Sequence, residues 1–173
     1  AMAQEVVIGA LNDMTGATSD VGKDYALGIA EAVNYCNDNG GVNGKPIKLI
    51  QFDYGYRVPE ALTKYKLFQR MKAVAVQGWG TGDTNALKEM VNSDESVYMS
   101  ASYDSGISAP AKTPYNFFVG TSYGDSIRAA MQFVKDTWTD KSRAPRVVFI
   151  YPDHPYGKNP IPAGKEMAKA LGL

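Results

Sequence analysis

The sequence of 173 residues has one cysteine, one histidine, no net formal charge and no long apolar run. A single cysteine excludes an internal disulfide, and Cys36 with His154 alone cannot form a metal site. Equal numbers of acidic and basic residues, 18 of each, disfavour a surface for nucleic acid or anionic membrane. No apolar stretch approaches the ~20 residues that a spanning helix requires.

Signals for catalysis are also missing. His154 lies between Asp153 and Pro155 in a predicted loop, no G-x-S-x-G elbow supplies a nucleophile, and no spacing singles out a carboxylate pair. The sequence therefore predicts no catalytic residue, no metal site and no cofactor. Cys36 lies on the apolar face of a predicted helix, where we expect a buried structural thiol. The first three residues, 1–3, resemble an expression remnant ahead of a mature start, so a missing leader does not bear on the compartment.

Short apolar runs alternate with amphipathic patterns along the chain. The predicted strands are 6–11, 46–52, 73–76, 96–101, 117–119 and 146–151. The predicted helices run from 23 to 37, from 59 to 71, from the 81–84 turn to 92, onward from 124, and from 164 to 171. This alternation predicts an α/β fold, an open parallel sheet with helices on both faces of the flavodoxin-like kind. In such sheets ligands bind beyond the carboxyl ends of the strands.

A glycine-rich turn follows the third predicted strand, in the run 77–85, and opens the next helix. Its glycines let the backbone approach a small ligand, and the first-turn amides, among them that of Gly82, point outward. The hydroxyls of Thr81 and Thr84 add donors, and Trp79 offers an aromatic wall. The turn therefore predicts a site for an anion, either a carboxylate or a phosphate.

Two other interpretations of this turn stay open. A dinucleotide fingerprint would need a glycine where Asp83 stands, and no Walker A ending is present. The turn resembles a flavodoxin phosphate loop, but it does not follow the strand that carries this loop in flavodoxins. Asp83 would also repel a dianionic phosphate. Alternatively, the turn caps a helix and binds nothing.

The loop after the fourth predicted strand carries Ser102, Tyr103 and Asp104. Asp104 can pair with an ammonium, and a charge-assisted hydrogen bond of this kind is worth ~1.5–3 kcal/mol. Together with the glycine turn, this loop would recognise both ends of a zwitterion. The alternative is that Asp104 caps the turn at 105–108. Tyr123 and Tyr156 extend the set of candidate aromatic residues.

Several of these segments together resemble a known family. They are the opening run 7–16, the helix containing Gly22 and Gly28, the run Asn39-Gly-Gly-Val-Asn-Gly-Lys-Pro-Ile47, the strand and turn at 74–84, and Tyr156-Gly157. They resemble the type I periplasmic substrate-binding proteins of ABC transporters, in the branched-chain amino acid and amide class.

The resemblance implies a binding protein with two α/β lobes that close over a ligand. It places an N-terminal lobe at 4–121 and the start of a second lobe at 122–173. By similarity, the Thr81 hydroxyl binds the ligand carboxylate, a backbone group of Ser102 contacts the ligand, and Asp104 lies near the ammonium. Tyr156 covers the ligand, and Val21 takes a position where amino acid binders often carry an aromatic residue.

The resemblance also implies a compartment and partners. It predicts a periplasmic or otherwise extracytoplasmic protein that delivers its ligand to a transporter permease. Asp104 and Val21 depart from the usual pattern, which leaves an amino acid, an amide or an aromatic acid open as ligand. Family members are longer than this chain, so we expect an incomplete second lobe whose open edges favour a homodimer. A flavodoxin-like flavin or nucleotide protein and the sensing domain of a receptor remain the alternatives.

Overall fold

The computed structural model describes residues 5–173, and its contacts divide the chain into two compact units. The first unit runs through Ser102 and also contains Ile107–Phe118, whereas the second contains Tyr103–Gly106 and Val119–Leu173. Residue 4, where the predicted first lobe begins, and the predicted expression remnant lie outside the described residues.

The first unit alternates strands and helices in chain order. Its elements are β1 (Val6–Asn12), α1 (Ser19–Asp38), β2 (Ile47–Asp53), α2 (Val58–Arg70), β3 (Ala75–Gln77), α3 (Thr81–Ser93), β4 (Val97–Met99) and β5 (Asn116–Phe117). The strands form one parallel sheet in the order β2-β1-β3-β4-β5. The predicted open parallel α/β sheet is therefore confirmed. The carboxyl ends of its strands gather the loops that follow them at one edge.

Helices of the first unit cover both faces of this sheet. A side chain at Gly9 would come within 2.7 Å of the Phe68 ring, so glycine lets α2 pack closely on β1. The adjacent residue Ala10 pairs in register with Gln51, whose amide donates to the Ala26 carbonyl of α1 at 2.9 Å. Successive strand residues point to opposite faces, so α1 and α2 lie on opposite sides of the sheet.

The core of the first unit lies between the sheet and the helices α2 and α3. It includes the fully buried Leu11, Tyr65, Phe68, Val76 and Leu87. Fully burying one such side chain stabilises the fold by ~1.5–3 kcal/mol. This core holds the strand ends, and with them the loops at the carboxyl edge, in fixed positions.

The second unit contains the helices α4 (Tyr123–Thr137), α5 (Pro155–Lys158) and α6 (Ile161–Leu171). The Ser122 hydroxyl accepts the Asp125 amide at 3.1 Å and begins α4. Gly172 ends α6 in the left-handed conformation, with φ of +71°. The predicted strand at 146–151 is wrong, because no strand among residues 5–173 pairs with it. A strand needs such a neighbour for its backbone hydrogen bonds.

Helix α1 differs from its prediction in two respects. It begins at Ser19 rather than Lys23, because the Thr18 carbonyl already accepts amides of the first turn at 2.9 and 3.2 Å. Cys36 is half-buried rather than buried, because α1 is buried near its start, at Gly22 and Ala26, and not near its end. Within residues 5–173, no helix combines the length and apolarity needed to cross a membrane.

Candidate functional site

The loop after β1 is organised around the buried carboxylate of Asp13. This carboxylate accepts the amides of Gly16 and Thr18 at 2.6 and 2.7 Å, and the Thr18 hydroxyl donates to it at 2.7 Å. Helix α1 packs directly on this loop, since a side chain at Gly22 would lie 1.9 Å from the Asp13 carbonyl oxygen. The loop is therefore a rigid part of the sheet edge.

The Asp53 carboxylate likewise organises the loop after β2 by accepting hydrogen bonds. It accepts the Met14 amide at 2.9 Å and the Gly55 amide at 3.0 Å, and the Thr15 hydroxyl donates to it. Burial alone would raise the pKa of Asp53, but the Thr15 hydroxyl and these amides outweigh it and hold the pKa below its usual value. The loops after β1 and β2 are thereby bonded to each other.

Asp83, in the first turn of α3, is 2% exposed. Its carboxylate accepts the Tyr54 hydroxyl at 2.8 Å and the Gly80 amide at 3.2 Å. Burial is the main reason that the pKa of Asp83 rises to about 7, and the nearby charge of Asp13 raises it further. Burial and the Asp83 charge raise the pKa of Tyr54 far above its ordinary value, so this hydroxyl stays protonated. Asp83 anchors α3 to the loop after β2.

Two pairs of buried hydroxyls join the start of α3 to the end of β4. Thr81 and Ser102, 2% and 1% exposed, lie 2.7 Å apart between their hydroxyl oxygens. Thr84 and Ser100 form the second pair, also at 2.7 Å, and Thr84 donates to the Gly80 carbonyl at 2.6 Å. The Thr81–Ser102 pair lies at the first residue of α3, beside the outward-pointing amide of Gly82.

Trp79 is held from two sides. Its indole nitrogen donates to the Thr18 hydroxyl at 2.8 Å, and its ring centroid lies 4.9 Å from that of Tyr25. Gln77 in turn bonds the Tyr25 hydroxyl and the Met99 carbonyl. Val21, at the start of α1, is exposed. The structure thus brings Trp79, Thr81, Gly82 and Ser102 to one edge of the sheet, where Thr18 and Tyr25 fix the indole.

Asn12 is a candidate site residue that the sequence analysis missed. It ends β1, is fully buried, and neither amide atom of its side chain has a hydrogen-bond partner within residues 5–173. Its register partner is Asp53, which lies on the same face of the sheet. An unpartnered buried amide costs ~1–3 kcal/mol, a cost that an ordered water or a polar ligand group removes. Asp13 and Asp53 were missed as well, although Asp13 directly follows β1 and Asp53 ends β2.

The remaining candidates belong to the second unit. Tyr123 lies edge-on to Tyr103 and to Tyr156, with ring centroids 5.8 and 5.4 Å apart. The Asp104 carboxylate accepts the Gly106 amide at 2.8 Å, which fixes the short 3-10 turn at Ser105–Ile107. This bond is the capping interaction expected for Asp104; its pairing with an ammonium stays a prediction.

Within residues 5–173, no cluster of three or more His, Cys, Asp or Glu side chains has the arrangement of a metal site. The charged groups at the edge of the first unit's sheet, Asp13, Asp53 and Asp83, are already bonded to amides and hydroxyls of their own loops. The side chains that remain suited to a small ligand are hydroxyls, amides and aromatic rings.

Comparison with known proteins gives a family. A family model described as "Periplasmic binding protein" matches residues 5–173. A substrate-binding protein of an ABC transporter from Aeropyrum pernix is 32% identical, with a TM-score of 0.81 over 99% of this chain. A branched-chain amino acid ABC transporter protein from Thermus thermophilus, solved with bound valine, has a TM-score of 0.91 over 100% of this chain. At 21% identity, the Thermus protein shows the shared fold alone.

A curated sequence relative adds to these structures. An "Amino acid binding protein" of Pseudomonas aeruginosa is 36% identical over 75 residues, which is 43% of this chain and 20% of that protein. The chain spans 44% of the length of the Aeropyrum and Thermus proteins.

Proposed function

Since this chain belongs to the periplasmic binding protein family, we propose that it is the ligand-capturing part of an extracytoplasmic solute-binding protein of an ABC importer. Its ligand would be an amino acid or a related small carboxylate, delivered to a transporter permease. The observation that carries the proposal is the Thr81–Ser102 hydroxyl pair at the start of α3. The names of the Thermus and Pseudomonas proteins, valine-bound and amino-acid-binding respectively, support this ligand class.

The carboxylate of the ligand would be bound at the start of α3. Helix N-termini attract anions because the first amides lack acceptors within the helix and the helix dipole is positive there. The amide of Gly82 and one hydroxyl of the Thr81–Ser102 pair would donate to the two carboxylate oxygens, since each hydroxyl carries one hydrogen and one of the two donates within the pair. A hydrogen bond to a charged group contributes ~1.5–3 kcal/mol, so two of them account for a large share of micromolar affinity.

The indole of Trp79 would face the rest of the ligand. Because Thr18 and Tyr25 fix this ring, it needs no reordering when a ligand arrives. Asp83 and Thr84 would act indirectly, by fixing the first turn of α3 through Tyr54, Gly80 and Ser100. Val21 would contribute little, since it is 64% exposed.

For the second unit, we propose that Asp104 pairs with an ammonium or amide nitrogen and that Tyr103 and Tyr156 contact apolar parts of the ligand. We further propose the division into lobes at 121 and 122. In this scheme the protein binds and releases its ligand without chemical change, so no catalytic residue or cofactor is needed. Ligand contacts to both lobes would shift the population toward the closed state.

A thermal-shift screen of the chain tests this function. The panel contains valine, leucine, glutamine, acetamide, benzoate and flavin mononucleotide at ~10 mM. For a Kd of ~1 mM, the stabilisation is ~1.4 kcal/mol, or about 3–6 °C in Tm for a chain of this size. We expect a shift with one of the amino acids and none with the flavin. A shift with the flavin alone would refute amino acid binding and favour the flavodoxin-like alternative.

Two variants locate the site. Thr81→Val and Ser102→Ala remove the hydroxyls of the pair, and each should abolish most of the ligand-induced shift relative to its own unliganded Tm. Thr63→Val is the matched control, because this exposed helical threonine bonds only the Pro59 carbonyl at 3.0 Å. A ligand shift that persists in both variants would contradict the assignment of the carboxylate site.

A further inference from the structure

The connection between α1 and β2 carries two Asn-Gly pairs, Asn39-Gly40 and Asn43-Gly44. In such a pair the backbone nitrogen of the glycine can attack the side-chain carbonyl carbon of the asparagine, because glycine has no β-carbon to obstruct the approach. The attack requires that neither the glycine amide nor the asparagine side chain is held by a hydrogen bond. The two pairs differ in both respects.

Asn43 and Gly44 form the tip of a two-residue turn. The Val42 amide donates to the Lys45 carbonyl at 2.8 Å, and the Lys45 amide donates to the Val42 carbonyl at 3.0 Å. The two tip residues have left-handed backbones, with φ of +53° and +76°, which is the conformation that Asn-Gly favours in such turns. Both are exposed, and within residues 5–173 neither the Asn43 side chain nor the Gly44 amide forms a hydrogen bond.

The other pair is held at the end of α1. The Asn39 side chain donates to the Tyr35 carbonyl at 2.8 Å, and the Gly40 amide donates to the Asn37 carbonyl at 3.1 Å. The Asn37 side chain in turn bonds the carbonyl and the amide of Ile47 at 2.9 and 2.7 Å, which fixes the start of β2. Both groups that the attack requires are therefore engaged at Asn39, whereas both are available at Asn43.

We propose that Asn43 is a deamidation site of the folded protein. The Gly44 nitrogen forms a bond to Cγ of Asn43 and gives up its proton to solvent, while the bond from Cγ to the side-chain nitrogen breaks and ammonia leaves. The product is a cyclic succinimide. Water then opens the ring: cleavage between Cγ and the Gly44 nitrogen gives aspartate, and cleavage between the backbone carbonyl carbon and that nitrogen gives isoaspartate. One water is consumed and one ammonia is released.

The two products differ in their effect on the turn. Both add a negative charge at its tip. Aspartate is compatible with the two-residue turn, since Asp-Gly favours the same conformation. Isoaspartate lengthens the backbone by one carbon and should disturb the pairing of Val42 with Lys45. Because Asn37 holds β2 at Ile47, the change should remain confined to the turn, at the end of the sheet opposite the proposed ligand site.

Peptide mapping by mass spectrometry, after incubation of the folded chain in warm and mildly alkaline buffer, tests this proposal. We expect Asn43 to deamidate about tenfold faster or more than Asn39, because the hydrogen bonds at Asn39 must open first. In guanidinium chloride the two asparagines should react at comparable rates, since glycine follows each of them. Equal rates in the folded chain would overturn the proposal, as would an unreacted Asn43 in the folded chain when the unfolded chain reacts.

Two glutamine variants assign the reaction to one residue. Ion-exchange chromatography follows the added negative charge, and circular dichroism checks that each variant remains folded. The acidic form should nearly disappear in Asn43→Gln, because the longer side chain closes its ring far more slowly. Asn39→Gln is the matched control and should form the acidic species at the rate of the unaltered chain. An acidic form that persists in Asn43→Gln and is lost in Asn39→Gln would contradict the assignment. The test needs no ligand, so its outcome is independent of the proposed transport function.

Discussion

Replacing Asp83 by asparagine should make the stability of the first unit less dependent on pH. Asp83 is the buried carboxylate that accepts the Tyr54 hydroxyl and the Gly80 amide. Asparagine has nearly the same shape, can accept from Gly80 through its oxygen and can donate to Tyr54 through its nitrogen. The substitution therefore removes a titrating group while it preserves the contacts.

The magnitude follows from the pKa of Asp83, which burial raises from 3.8 to about 7. Because the folded state holds the proton more tightly than the unfolded state, the contribution of this group is greatest below pH ~4. It is lost as the pH rises through ~7. One pKa unit corresponds to ~1.4 kcal/mol, so the loss over this range is about 4 kcal/mol. Relative to the unaltered protein, the free energy of unfolding of Asp83→Asn should therefore rise by about this amount between pH ~4 and ~8.

Urea unfolding followed by circular dichroism, at several pH values in this range, measures the difference. Asp125→Asn is the matched control, because Asp125 occupies the same first-turn position in α4 but is exposed. The Ser122 hydroxyl and Arg128 lower the pKa of Asp125, so its contribution is lost as the pH falls below the usual value. Between pH ~4 and ~8, Asp125→Asn should therefore differ from the unaltered protein by a nearly constant free energy of unfolding, whereas Asp83→Asn should not. A constant difference between Asp83→Asn and the unaltered protein from pH ~4 to ~8 would refute the argument.

Three further substitutions test the packing of the edge, each by urea unfolding. Gly22→Ala should lower the free energy of unfolding by several kcal/mol or prevent folding, since its new carbon would lie 1.9 Å from the Asp13 carbonyl oxygen. Gly28→Ala in the same helix meets nothing within 4 Å and should raise it by ~0.5–1 kcal/mol. Equal effects of the Gly22 and Gly28 substitutions would contradict the difference in free space around these two glycines. Thr84→Val should lower the free energy of unfolding by ~1–3 kcal/mol, because it leaves the buried Ser100 hydroxyl without this partner. An unchanged free energy of unfolding would contradict that role.

Much of the fold could be predicted from the sequence because its strands and helices are short, periodic and clearly punctuated. The continuous apolar run of β1 is typical of a central parallel strand, and β1 indeed lies between β2 and β3. The segment 146–151 shows the limit of this reasoning. Its apolar run is that of a strand, but strand formation also needs a neighbouring strand, and a local pattern does not report one.

The candidate site was predictable only in outline. The glycine turn and the two hydroxyls at Thr81 and Ser102 follow from the local pattern, and the structure brings these hydroxyls within bonding distance. The role of Asp53 was not predictable, because Asp53 bonds Met14 and Thr15, 39 and 38 positions away. Such contacts depend on which loops the topology places side by side. The ligand roles of the predicted site residues stay predictions.

Two aspartates at the edge of the sheet, Asp13 and Asp53, have a consequence for exchange with solvent. The amides of Gly16, Thr18 and Gly55 lie in loops, yet each donates to an aspartate carboxylate. Loop amides normally exchange their hydrogens rapidly, whereas these should exchange nearly as slowly as amides of the sheet. A backbone that is already ordered in this way loses little entropy when a ligand binds. Ligand preference can then change through the side chains around it while the edge itself stays intact.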